Sequence, residues 1–169
     1  IDPSVQFINH RTSCGYAFQF PSAWSRTETL YLREEVTSPQ TATANEEARD
    51  NSETYSDSVT DKYDIAFTCH EDIQEYVHYY FGPNVTATTL KELLDHRKQS
   101  SWTMEETTIG GSPAVRVIVP ERTEDEYWVE QDGRAVQISV SNASTDPEVQ
   151  STINAILDSS RFSDNLWKR

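Results

Sequence analysis

No run of 18 apolar residues occurs anywhere in this 169-residue chain, so no stretch of it reads as a membrane-spanning helix. Glycine is scarce, with only five residues, and none builds a loop that could cradle a phosphate. A Gly-x-Ser-x-Gly elbow is absent, and neither cysteine sits in a reactive context, so nucleophilic catalysis has no recognisable seat. Basic residues are few: 14 Lys and Arg stand against 28 Asp and Glu, a net charge of −14. A surface this negative repels phosphate backbones and anionic lipid heads, which argues against nucleic acid as a partner. Such a balance ordinarily means a solvated acidic face; the partners it suits are cations, basic proteins or a high-salt milieu. Lysine is confined to Lys62, Lys91, Lys98 and Lys168, a mildly halophile-like bias.

Aromatic side chains supply what the aliphatics do not. The hydrophobic fraction is 36%, yet it includes four Trp, eight Tyr and six Phe, each able to bury a large area. A chain of this length hides roughly 70% of its unfolded surface, enough for a single domain over 1–169 with no obligatory staple. The stretch Cys14 to Trp24 looks central to it. Tyr16, Phe18 and Phe20 alternate with Gly15, Ala17 and Gln19, the period of a strand with one buried face, before Pro21 stops the ladder and Trp24 returns a ring to the core.

Around that strand the pattern predicts a short strand at Val5 to Ile8 ending in a polar turn, Asn9 to Thr12. A second strand over Arg26 to Val36 is expected to pair with the first, and a third is expected over Asp64 to His70. Ile73, Tyr76, Val77, Tyr80 and Phe81 form a helical stripe that reads as packing, closed by Gly82-Pro83. Thr89-Leu90-Lys91-Glu92 is a capping box that opens a helix over 90 to 99. Hairpins follow at Gly110-Gly111 and at Asp132-Gly133, with an acidic turn from Glu121 to Glu126 between them. Asp146-Pro147 then starts a helix to about residue 158, whose Val149, Ile153, Ile156 and Leu157 share a face. Phe162 and Trp167 follow as end plugs.

Residues 37 to 61 are dominated by Ser, Thr, Asn, Gln and acids. They read as a long mobile loop that cannot bury enough surface to offset its ordering entropy. Glu46, Glu47, Asp50, Glu53, Asp57 and Asp61 gather there, but their spacing does not match a calcium loop and no glycine is present for its sharp turn. His70, Glu71 and Asp72, with His78 beyond, are the one cluster with the chemistry of a zinc or manganese shell. They lack the i, i+4 histidine pair of a zincin, and a strand end capping the next helix explains the same residues.

Four features in this order resemble the PsbP-like (Mog1/PsbP) family, including its bacterial secreted and lipoprotein members. They are Gly-Tyr-Ala-Phe-Gln-Phe-Pro-Ser-Ala-Trp ending at Trp24, the hairpin from Glu105 to Val115, the hairpin from Tyr127 to Val140, and the closing Ile156-Leu157-Asp158-Ser159-Ser160-Arg161-Phe162. The resemblance implies an α/β/α sandwich with a central antiparallel sheet. It brings no catalytic motif and no shared activity. With it, the even cysteine count favours a Cys14–Cys69 disulfide over two buried thiols; the bond would close about 55 residues and contribute roughly 4 kcal/mol in the chain-entropy view. The start Ile1-Asp2-Pro3, without Met, is that expected of a processed form or an excised piece. The resulting expectation is a non-enzymatic, extracytoplasmic binding or scaffold module with a protein or cell-envelope partner and no cofactor. Its rival is a metal-dependent protein centred on His70, Glu71 and Asp72.

Overall fold

The structure, a computed structural model, describes residues 5–12, 15–32, 49–56, 64–70, 72–120, 122, 124–141 and 147–162, with the side chains of 25–32, 49–56, 64, 141 and 149 left aside. Among the described residues, two antiparallel sheets and three helices form an α/β sandwich.

The aromatic strand behaves as its alternation predicts. In β2 (Tyr16–Pro21) the side chains of Tyr16, Phe18 and Phe20 are buried and Gln19 is exposed. It is the middle strand of a three-stranded sheet, between β1 (Phe7–Arg11) and β10 (Arg161–Phe162). The expected polar turn at Asn9 to Thr12 is corrected here: Asn9, His10 and Arg11 continue β1, paired with Gln19, Phe18 and Ala17. A strand with one solvated face accepts polar side chains on that face. The reversal comes at Thr12 and Gly15, where the Gly15 amide donates to the Thr12 carbonyl at 3.0 Å and the Tyr16 amide to the Thr12 hydroxyl at 3.1 Å.

Two further expectations change. Strand β3 (Ser25–Leu32) does not pair with β2; it joins a seven-stranded sheet of order β3-β4-β5-β9-β8-β7-β6. Its partner β4 (Arg49–Ser56) lies within the stretch expected to be a mobile loop. That strand is laddered on one side to β3 and on the other to β5 (Asp64–His70), so main-chain hydrogen bonds from two neighbours order a segment whose composition reads as loop. The remainder of 37–61 lies outside the described residues.

The other strands follow the sequence closely. β6 (Thr103–Ile109), β7 (Ser112–Ile118), β8 (Asp125–Gln131) and β9 (Arg134–Ser141) make an antiparallel meander of four. The β8–β9 turn has Asp132 at φ 53° and Gly133 at φ 78°, the left-handed pair a tight hairpin of right-twisted strands demands.

Helices cover the seven-stranded sheet on both faces. On one face α3 (Pro147–Ser159) and the three-stranded sheet close over Ile65, Phe67, Val136, Ile138 and Val140; Phe18 stacks on Phe67 with ring centroids 4.0 Å apart. On the other, α1 (Ile73–Phe81) and α2 (Leu90–Arg97) cover Val117, Trp128 and Ala135. Asp72 caps α1 by accepting from the Gln74 amide at 2.9 Å, and Thr89 caps α2 by accepting from the Glu92 amide at 3.3 Å. The aromatic stripe of α1 is only partly packing. Ile73, Tyr76 and Val77 are buried, but Tyr80 and Phe81 are 51% and 38% exposed.

Candidate functional site

The face under α1 and α2 carries the densest chemistry. Along β8, Glu126, Trp128 and Glu130 share the parity that points to these helices. Glu126 is buried, its side chain 6% exposed, and accepts from Trp128 Nε1 at 2.7 Å, Gln137 Nε2 at 2.9 Å and Arg97 Nη2 at 3.3 Å. Arg122 Nη1 approaches the same oxygen at 3.5 Å. A buried carboxylate is tolerable only when its lone pairs are met by donors and its charge by cations, and both conditions hold.

Rings and guanidiniums continue the network. The Arg97 guanidinium lies over Trp128 at 5.5 Å and over Trp102 at 5.6 Å, and Arg122 lies over Trp102 at 5.5 Å. Arg97 Nη1 also donates to the Tyr76 hydroxyl at 3.1 Å, which ties the end of α2 to α1. These contacts fasten both helices and the segment around Trp102 to the middle of the sheet.

His70 belongs to this packing. It is buried, stacks on Trp128 with centroids 5.2 Å apart, meets Tyr76 edge-on at 4.8 Å, and has Nε2 3.1 Å from Gln137 Oε1. Asp72, two residues on, is exposed and occupied as the α1 cap, while Glu71 lies outside the described residues. Among the described residues no group of three or more His, Cys, Asp and Glu side chains is arranged to hold a metal. Cys69 is buried on the opposite face, its Sγ 3.3 Å from the Thr12 hydroxyl. Cys14 lies outside the described residues.

Where the sheet runs out beyond α2, it leaves an open groove of about 740 Å³. Leu90, Leu94, Met104, Ala114 and Val115 give it an apolar floor; Asp95, Glu105, Glu106 and Glu130 rim it, against Lys91 and Lys98. Glu130 has a second task, accepting from the Leu90 amide at 2.6 Å and so holding the start of α2 in place. One wall is β6, the last strand of the sheet among the described residues, so its outer edge presents main-chain donors and acceptors.

Sequence reasoning missed most of this. It placed Glu126 in an acidic turn, whereas the residue is the second of β8; the alternation Glu126, Trp128, Glu130 against Tyr127 and Val129 was the available signal. Leu90 and Leu94 were legible as core, but nothing local tells that one side of α2 stays open.

The fold thus defines an α/β sandwich with antiparallel sheets and a groove at one sheet edge. No protein-family model matches the chain, and no curated protein matches it. Among solved structures, the solution structure of cyanobacterial PsbP (CyanoP) from Synechocystis sp. PCC 6803 is similar: 15% identity, 96% of this chain and 95% of that chain covered, TM-score 0.48. That protein is a PsbP, the family the sequence motifs resemble. A likeness at this identity and TM-score transfers no site, partner or activity.

Proposed function

We propose that this protein is a non-enzymatic, extracytoplasmic binding or scaffold module of PsbP-like type, and that a partner protein docks in the groove between α2 and β6. The groove itself carries the reading. It combines an apolar floor, a sheet edge that no further strand extends among the described residues, and a rim with four carboxylates against two lysines. An extended segment added to β6 would satisfy its outer main-chain groups, with alternate side chains reaching the floor. Both the rim and the net charge of −14 favour a basic segment. The extracytoplasmic part rests on the family resemblance.

A photoreactive residue at Thr107, on the groove wall, tests the reading in the cells that make the protein. One dominant protein adduct is expected, lost in the double charge reversal Asp95→Lys, Glu106→Lys, and recovered from the envelope or secreted fraction. An adduct pattern indifferent to the reversal would end the groove reading, and recovery from the cytoplasm would end the compartment. A stoichiometric metal in untagged protein, lost in His70→Ala, would instead favour the metal-dependent rival.

A further inference from the structure

The connection between α1 and α2 carries a chemical pattern that the groove does not use. Asn84-Val85-Thr86 places a hydroxyl two residues after an asparagine with no proline between them, the acceptor triplet for N-linked glycosylation. Among the described asparagines, Asn9, Asn51, Asn84 and Asn154, only Asn84 has Ser or Thr at that position. The backbone gives the triplet a defined presentation. Gly82 closes α1, and the Val85 amide donates to the Gly82 carbonyl at 3.2 Å, so Pro83 and Asn84 are the two central residues of a tight turn. Past the turn one side chain clamps the segment: Gln74 Nε2 donates to the Val85 carbonyl at 3.2 Å, and the Ala87 amide donates to Gln74 Oε1 at 3.3 Å. Val85 is half-buried against the core beneath the two helices and Ala87 is fully buried, while Asn84 and Thr86 are exposed.

We infer that Asn84 is a site of N-linked glycosylation. The alternation carries it. With Val85 and Ala87 turned to the core, Asn84 and Thr86 stand together on the solvent side, where a transferase can read the hydroxyl and reach the amide at once. Neither side chain has a hydrogen-bond partner among the described residues, so modification breaks no internal contact and the sugar projects into water. In the transfer, Asn84 Nδ2 bonds to C1 of a sugar carried on a lipid pyrophosphate, and the bond from C1 to the pyrophosphate oxygen breaks. One amide proton passes to a base of the transferase, the lipid pyrophosphate leaves, and nothing is oxidised or reduced. The donor class is a lipid-linked oligosaccharide. Such donors are used on the outer side of a membrane, so the site rests on the extracytoplasmic reading above. Neither Asn84 nor Thr86 lines the groove, which a glycan here leaves open.

Peptide mapping of protein isolated from the cells that make it, each cell fraction kept separate, tests the site. The tryptic peptide Tyr63 to Lys91 contains this triplet and no other. Its mass should exceed that of the sequence by whole sugar residues, with fragmentation placing them on Asn84. Thr86→Ala should abolish the added mass although Asn84 remains, and Asn84→Gln should abolish it too. Both positions are exposed, so the variants should keep the parent's far-UV circular dichroism; the map of the parent protein decides the matter even if they do not. An unmodified peptide in protein recovered from the envelope or secreted fraction would overturn the site and leave the compartment standing, whereas recovery from the cytoplasm alone would end both. Added mass that persists in Thr86→Ala would also overturn it, because the triplet would then not direct the modification.

Discussion

Tyr16 shows how one buried polar atom ties the sheet to the chain's last helix. Its hydroxyl donates to Ser160 Oγ at 3.0 Å, and Ser160 in turn donates to the Leu157 carbonyl at 2.7 Å. Burial pushes the phenol up to about 12, the Ser160 hydrogen bond pulling weakly the other way. The unfolded chain ionises this group near 10, so above that pH the unfolded state holds fewer protons and stability falls as pH rises toward 12. The loss approaches about 2–3 kcal/mol, and Tyr16→Phe should remove that slope while costing about 1 kcal/mol at neutral pH. Urea unfolding at a series of pH values reads both; a variant with the parent's alkaline slope would contradict the assignment. Glu126 is a buried carboxylate whose oxygens are met by Trp128, Gln137 and two arginines. Removing it in Glu126→Ala strands Arg97 and the Trp128 indole donor, and because both arginines are partly solvated the loss should sit near the lower end for buried pairs, about 3 kcal/mol. A loss below about 1 kcal/mol in denaturant unfolding would mean the network is not holding the helices.

At the scale of elements, the hairpin tip between β6 and β7 meets the end of α3. Gly110 has φ 57°, and a Cβ there would stand 1.7 Å from the Ser160 carbonyl oxygen, main chain that cannot swing aside. Gly111, at φ 81°, faces open space. Gly110→Ala should therefore cost about 3 kcal/mol or more and Gly111→Ala only about 1, measured by thermal or urea unfolding. Equal losses would show that the tip does not rest on α3. The same elements show what was legible locally. The capping box at Thr89, the Asp132-Gly133 turn and the alternation of Val136, Ile138 and Val140 each act over a few residues, and each element formed where its pattern stood. Strand β4 was hidden because its order comes from ladders to two strands distant in sequence, which composition does not register.

For the whole molecule, the farthest-reaching prediction is covalent. The Gly15 amide donates to the Thr12 carbonyl at 3.0 Å, and the Thr12 hydroxyl lies 3.3 Å from Cys69 Sγ. A Cys14–Cys69 bond would join the three-stranded sheet to the seven-stranded one. Intact mass should rise by two protons on reduction, and reduction should lower stability by roughly 4 kcal/mol. Equal masses for native protein with and without reductant would refute the bond.

By itself the sequence determined the aromatic strand, the two capped helices, both hairpins and the charge that disfavours nucleic acid, because each follows from periodicity, turn chemistry or composition within a short window. Tertiary structure alone decided that β3 joins the larger sheet, that Glu126 and His70 are packed into one network, and that a groove stays open beside α2. Those outcomes depend on which strands become neighbours. Strand pairing across 150 residues is set by the sum of all contacts, and no short stretch of sequence contains that sum.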